Sequence, residues 1–376
     1  MEALNIAKNL VELRKNKGVT QEELASFIGV TKASVSKWEN GQSMPDILLL
    51  PRLAAYFDVT VDSLLGYEPQ LSKEQIQAVY KMFTKAFSEE PFEEVFGRSE
   101  EYVKKYYSCY RFLFQVCVLW MNHFMMAEGV ARQQEILRKI EELCNHIIDN
   151  CDNAIVCSDA IIMRAGISLQ MGKSETVIDE LEELINPNRL MNQSDSLLIR
   201  AYTMKGDVEK ADKFAQISMY VHLLAMISDT VQFLEIHVSN KTLCIETMKR
   251  TDKLIAAYSL DRLLQHAVAV YQYQAAAVLC TYDDRKEAVK RLKQYARIVI
   301  DMLENTPRLH GDSYFDKLDN CFEELELGSQ LVRDKKLVMA STIQGLENPI
   351  FAGLKDMEEY RNICNMLENA QGRIEL

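Results

Sequence analysis

The sequence predicts an all-α protein, and three observations carry that expectation. Seven prolines and fourteen glycines in 376 residues leave few of the punctuators that an all-β chain needs at its turns. Apolar residues recur at spacings of three and four, and almost no stretch alternates with period two. Helix-start signals open several segments: Thr20 stands three residues before Glu23, and Ser72 three before Gln75.

Size and charge narrow the field further. A chain of 43.2 kDa is too long for one ordinary core, so two or more units are expected. The formal net charge is −12, with 48% apolar and 26% charged residues. Such a chain packs cores and is neither a disordered tail nor a basic coat for nucleic acid. No basic stretch followed by an apolar run opens the sequence, which predicts a cytoplasmic protein. The most apolar stretch, Phe112 to Met126, is interrupted by Gln115, Asn122 and His123. It is short of the roughly twenty residues a span requires, and is expected to be a buried helix with no membrane role. Nine cysteines without a C-x-x-C pair read as reduced thiols.

The first 66 residues resolve into five short helices. Asn5 to Lys15 places Ile6, Leu10 and Leu13 on one face and ends at Gly18. A second helix, opened by the Thr20 capping box, turns Leu24, Ala25 and Ile28 inward. Gly29 then supplies the positive φ of a tight turn. Val30 tucks under that turn, Thr31 caps a third helix that buries Val35 and Trp38, and Asn40-Gly41 closes it. A fourth helix is expected from about Leu48 to Phe57, with Pro51 in its first turn. Thr60 caps a fifth that ends near Leu65.

The run Thr20-Gln21-Glu22-Glu23-Leu24-Ala25, with Gly29 and Ser36-Lys37-Trp38-Glu39-Asn40-Gly41, resembles the Xre/lambdoid-repressor family of DNA-binding domains over residues 4 to 66, about a sixth of the chain. The resemblance implies a helix-turn-helix head whose third helix enters the major groove of a double-stranded operator. Lys32, Ala33, Ser36 and Lys37 then face the bases: the lysines suit guanine O6 and N7, Ala33 a thymine methyl, and Ser36 either kind of group. Gln21 and Asn40 match positions that meet the phosphate backbone, and Thr31 joins this DNA-facing set. Arg14 and Glu39 match an ion pair tying the first helix to the third, a structural role. For Lys32 and Lys37 the ordinary alternative is a solvated lysine on an exposed face.

Residues 1 to 66 hold seven basic and eight acidic side chains. A near-neutral head binds phosphate weakly alone, and two copies on one duplex repair this through effective concentration. A homodimer reading a two-part site is therefore expected. Residues 67–71 form a linker and 72–376 a helical domain, and residues 67–376 together carry 36 basic and 47 acidic residues.

Within that domain Gly172 and Gly206 lie 34 residues apart, each between two helical patterns. The first is followed by Val177, Leu181 and Leu184, the second by Ala211, Phe214 and Ala215. Tyr282-Asp283-Asp284 with Ala288 has the same form without the glycine. The pattern resembles degenerate tetratricopeptide repeats over roughly residues 150 to 300, which implies a solenoid of stacked hairpins. The fold class expected overall is a five-helix Xre-type head followed by a tetratricopeptide-like helical-hairpin solenoid. Tyr102 to Met126 is rich in aromatic residues and reads as a central helix apolar all round, with a ligand pocket or dimer seam as the alternative. Asn348-Pro349-Ile350-Phe351 opens a final helical pair.

No catalytic, cofactor or metal site is expected. The six histidines form no H-E-x-x-H, no P-loop is present, and Cys144 and His146 are two apart. Arg308, His310, Asp312 and Ser313 read as a polar helix-start loop. Two readings remain. In one, the chain is a transcription regulator whose helical domain dimerises and senses a peptide, small molecule or protein. In outline this resembles the Rap–Rgg–PlcR–PrgX type of peptide-sensing regulator, which implies a peptide in the concave groove. In the other, the helical array is a protein-interaction scaffold that the head merely localises.

Overall fold

The computed structural model describes residues 6–67, 70–181, 194–305, 308–330 and 332–375. Its described residues form α-helices joined by short turns, with one isolated bridge between Arg308 and Gln330. They fall into two compact units, Met1–Ser72 with Tyr102–Phe112, and Lys73–Glu101 with Leu113–Leu376.

The first unit opens with helices α1 (Ile6–Lys17), α2 (Gln21–Ile28), α3 (Lys32–Glu39), α4 (Leu50–Phe57) and α5 (Val61–Leu65). Each starts or stops where local chemistry requires it. Thr20 Oγ1 accepts from the Glu23 amide at 3.2 Å, and Glu23 Oε2 accepts from the Thr20 amide at 2.7 Å. This reciprocal pair satisfies two donors that the first turn leaves open. Gly29 ends α2 at φ 86°, and its amide and that of Val30 both donate to the Ala25 carbonyl. Leu10, Leu24, Ile28, Val35, Trp38, Leu53 and Leu64 share one core. The fourth helix begins later than its periodicity suggests, because a 3₁₀ turn over Ile47–Leu49 precedes it. Asp46 caps that turn through the Leu48 amide, and Pro51 lies in the first turn of α4, where its missing donor has no partner to lose. The chain's second segment joins this unit through Gln70 Nε2 to the Ser108 carbonyl (3.0 Å) and the Leu71 amide to Cys109 Sγ (3.4 Å).

The aromatic stretch departs from the single helix expected. It is divided between α7 (Phe92–Lys105), which follows α6 (Lys73–Glu89), and α8 (Tyr110–His123), with a 3₁₀ turn at Phe124–Met126. The break falls at Tyr106–Cys109, where exposed Tyr107 and Ser108 offer no apolar face on which to continue. Helix α8 itself is buried nearly all round, and His123 within it is fully buried. Its ring stacks on Phe87 at 4.6 Å, and burial lowers its pKa to about 4, which keeps it neutral.

The rest of the second unit runs α9 (Val130–Asn150), α10 (Ala154–Gln170), α11 (Ser174–Leu181), α12 (Ser194–Lys205), α13 (Val208–Ile236), α14 (Lys241–Tyr258), α15 (Leu260–Leu263), α16 (Gln265–Thr281), α17 (Arg285–Glu304), α18 (Leu318–Glu324), α19 (Lys335–Leu346) and α20 (Glu358–Glu375). The last of these follows a 3₁₀ turn at Pro349–Leu354, so the closing pair is one 3₁₀ turn and one helix. The long apolar helix is α13 rather than α8, and by length and composition it is sufficient to cross a membrane. Leu184, Pro187 and Pro307 lie outside the described residues.

Three helix pairs, α10–α11, α12–α13 and α16–α17, pack as hairpins and share one turn. Gly172 donates to the Leu169 carbonyl and Lys173 to Ser168; Gly206 donates to Thr203 and Asp207 to Tyr202; Asp283 donates to Cys280 and Asp284 to Leu279. The first residue of each couple has positive φ, 75°, 80° and 56°. Asp283 thus takes the glycine's conformation, which aspartate tolerates better than most side chains. Five residues on, Val177, Ala211 and Ala288 are all buried where the second helix meets the first. A half-buried ion pair ties the third hairpin to α14: Arg291 donates twice to Asp252 at 2.6 Å, and Tyr271 adds a 2.9 Å bond to the same carboxylate. The loop after α17 is also closed locally, with Asp312 accepting from the amides of Tyr314 and Phe315.

Equivalence of the turns has a measurable consequence. No atom lies within 4 Å of a Cβ built on Gly206, so Gly206→Ala meets only the backbone penalty of φ +80°. We expect a loss of about 1 kcal/mol in urea unfolding. Asp283→Gly removes the same penalty but loosens the unfolded chain, and should stay within about 0.5 kcal/mol of the parent. A neutral Gly206→Ala beside a strongly destabilising Asp283→Gly would show the turns to be unlike.

Candidate nucleic-acid interface

Helix α3 is amphipathic across its eight residues. Val35 and Trp38 are buried, while Thr31, Lys32, Ala33 and Lys37 are exposed and Ser36 is half-buried on the other side. The 3.6-residue period thereby places Lys32, Ala33, Ser36 and Lys37 on the solvent face. Thr31 caps the helix, its hydroxyl accepting from the Ser34 amide at 3.2 Å and meeting the Ser34 hydroxyl at 2.9 Å. Asn40 ends the helix, exposed, with its amide 3.5 Å from Ser36 Oγ.

A network beneath this face fixes its position. Arg14 Nε donates to Glu39 Oε1 at 2.5 Å and Nη2 to Oε2 at 2.9 Å, the two-pronged geometry that a guanidinium fork favours. Its Nη1 donates to the Val19 carbonyl at 3.0 Å. Gln21 Nε2 donates to Glu39 Oε2 at 2.8 Å. One carboxylate therefore joins α1, the start of α2 and the end of α3. Burial pushes the Glu39 carboxyl up, but the bonds from Arg14 and Gln21 and the charge of Arg14 outweigh it and hold the carboxyl below its usual value. The Glu39 bond raises the Arg14 guanidinium.

Two of these contacts are invisible to sequence spacing. Gln21 is engaged with Glu39, so only its remaining amide hydrogen can donate to a backbone phosphate. Lys32 Nζ lies 3.3 Å from Glu22 Oε2, and both side chains are well exposed. An exposed pair of this kind is worth little, so Lys32 exchanges it for another acceptor at small cost. Phe27, Ile47 and Leu48 are exposed apolar residues of this unit that no motif singled out.

A short capped helix, a glycine turn and a second helix whose polar face is exposed define the class as a helix-turn-helix DNA-binding unit. The helix-turn-helix family pattern matches residues 10–64. The chain is 39% identical over 61 residues to the HTH-type transcriptional activator BcrR of Enterococcus faecalis, covering 16% of this chain and 30% of that protein. It is 39% identical over 61 residues to the HTH-type transcriptional regulator AnsR of Bacillus subtilis, covering 16% and 53%. With the HTH-type transcriptional regulator SinR of Bacillus subtilis it shares 34% identity over 96 residues, 24% of this chain and 86% of the relative. The chain thus spans about a third to a half of the first two relatives and most of the third. No solved structure matches it. The chain belongs to the family of HTH-type transcriptional regulators.

Removing the shared carboxylate strands both its donors. We expect Glu39→Ala to destabilise the helix-turn-helix by about 2–4 kcal/mol, read as faster hydrogen exchange of the α1–α3 amides in the full chain. The pH dependence comes from the lowered carboxyl. Glutamate in the unfolded chain titrates near about 4.3 and the folded value lies lower. The stabilisation is therefore complete above that range and is lost as pH falls through the folded value. Glu39→Gln should flatten this acid slope; an unchanged slope would place the titration elsewhere.

Proposed function

We propose that the protein reads a two-part operator as a homodimer, and that a ligand bound to its helical body modulates that reading. The observation that carries the first half is the outward face of α3, locked by Glu39 and bearing Lys32, Ala33, Ser36 and Lys37. In this reading Lys32 and Lys37 donate to guanine, Ala33 meets a thymine methyl, and Ser36 bonds either way. Gln21, Thr31 and Asn40 hold phosphates. The balance of seven basic and eight acidic groups in residues 1 to 66 supports a paired reader, since one copy neutralises few phosphates.

The second half is supported by a cavity of about 490 Å³ bordered by α14, α15, α16 and α17. This is the size of a small-ligand site. The Arg291–Asp252 pair and Gln272 line it, together with Asp261, Glu287, Lys290, Gln294 and Arg297. Lining cations (Lys290, Arg297) and anions (Asp261, Glu287) in one cavity suit a ligand bearing both charges, such as an amino acid or short peptide. The shared turn of the three hairpins supports a tetratricopeptide-like body around it.

Fluorescence anisotropy with an operator selected from random duplexes tests the reader. We expect Lys32→Ala to lose about 1–3 kcal/mol on the preferred sequence and much less on mixed DNA. Equal loss on all sequences would assign Lys32 to phosphate and overturn its base contact. Shifting one half-site by half a helical turn should abolish paired binding; unchanged affinity would sink the two-part operator. Thermal unfolding in the presence of single amino acids and short peptides tests the cavity. The melting temperature should rise for a binder in the parent and not in Arg297→Ala or Asp261→Ala. A rise that survives both substitutions would place the ligand elsewhere.

A further inference from the structure

We propose that Glu22 is a specificity-determining residue of the DNA reader, which cancels the charge of Lys32 toward phosphate while leaving it donors for a base. The inference rests on the base contact proposed for Lys32 above. The first three residues of α2 each hold a different partner. Gln21 donates to Glu39 Oε2 at 2.8 Å, Glu22 Oε2 meets Lys32 Nζ at 3.3 Å, and Glu23 Oε2 accepts from the Thr20 amide at 2.7 Å and hydroxyl at 2.9 Å. Gln21 and Glu23 thereby serve the fold. The Glu22 contact caps no helix and closes no core, because the side chains are 75% exposed for Glu22 and 61% for Lys32. It joins the first turn of α2 to the first residue of α3, the helix that carries the outward face.

An exposed pair adds little to stability, so its consequence lies in charge and direction. A lysine ammonium has three hydrogens. One given to Glu22 leaves two, and guanine offers two acceptors, O6 and N7, on its major-groove edge. Lys32 therefore has donors for guanine without leaving Glu22.

A phosphate differs from a base in what it gains from Lys32. Its attraction to a cation is chiefly Coulombic, and a carboxylate beside the ammonium cancels most of the charge it would feel. To recover that attraction Lys32 must leave Glu22, and the stranded carboxylate then repels the same phosphate. The pair thus weakens contacts that carry no sequence information and spares the one that does. Lys37 on the same face provides the contrast. It is exposed and makes no ion pair among the described residues, so its charge toward phosphate is undiminished. Glu23 offers Lys32 no second counter-ion of the same kind, since its Oε2 is held by Thr20.

Fluorescence anisotropy of the full chain, on the selected operator and on mixed duplexes over a range of KCl concentrations, tests the role of Glu22. Glu22→Gln keeps a good helix former at an exposed position and removes only the charge. It should tighten binding to mixed DNA roughly two- to fivefold. The logarithmic salt slope on mixed DNA should steepen by about 0.9, the value of one added phosphate contact. Binding to the operator should change less, so that discrimination narrows. In a Lys32→Ala background the same substitution should leave both the affinity for mixed DNA and the slope unchanged. A gain of equal size in that background would overturn the proposal, because Glu22 would then merely repel the duplex. Equal tightening on both kinds of DNA, or none on either, would also overturn it. Lys32→Ala alone separates this failure from that of the underlying reading. Uniform loss on all sequences removes the base contact and the proposal with it, whereas a preserved preference beside an inert Glu22 removes only the role given to Glu22.

Discussion

The recognition surface depends on where one carboxylate sits. Glu39 is at the last position of α3, and its side chain is almost fully buried beneath the helix it ends. A buried carboxylate is costly unless every lone pair is answered, and here the answers come from α1 through Arg14 and from α2 through Gln21. Those bonds have direction as well as strength. The planar guanidinium must lie in line with the carboxylate, so rotating α3 about its axis or sliding it along α2 breaks at least one of them. Apolar contacts from Val35 and Trp38 hold α3 against the core but leave rotation softer. The polar network specifies its angle, and the outward residues inherit it.

Much of this first unit was legible because its determinants are local. Thr20 with Glu23, Gly29, Thr31 and Thr60 act within a few residues of themselves, so spacing suffices to read them. The 3₁₀ turn before α4 was less legible, since Ile47, Leu48 and Leu49 continue an apolar run and only the Asp46 bond to the Leu48 amide marks the change. The engagement of Gln21 with Glu39 and of Lys32 with Glu22 spans eighteen and ten residues and obeys no periodic rule. Such contacts are set by how α2 crosses α3, which is a property of the packed unit.

In the larger unit, legibility divided along a similar line. The glycine turns at Gly172 and Gly206 could be read from residue type. Asp283 could be suspected only from Ala288 five residues later, because aspartate in a left-handed turn has no unique signature. The aromatic stretch misled for a different reason. Composition from Tyr102 to Met126 favours one apolar helix, yet exposed Tyr107 and Ser108 interrupt it, and a wheel drawn through the break joins faces that never meet. Conversely α13 has an apolar run without a periodic polar face, which in sequence is indistinguishable from a fully buried helix. Only the packing shows that one side is covered and the other is open.

Charge bears on the function of both units. The residues after the head carry 36 basic and 47 acidic groups, so their field repels a polyanion, and the head itself is close to neutral. Non-specific attraction, which dominates binding in strongly basic regulators, is therefore weak here. A duplex that binds must be held by correctly placed hydrogen bonds, and those are worth most when the donors do not have to be reoriented. The rigid placement of α3 by Glu39 supplies that preorganisation. In the proposed paired reader a second head on the same duplex would add its contacts without a second loss of translational freedom. A protein built this way discriminates against random DNA by lacking the general affinity that random DNA would exploit.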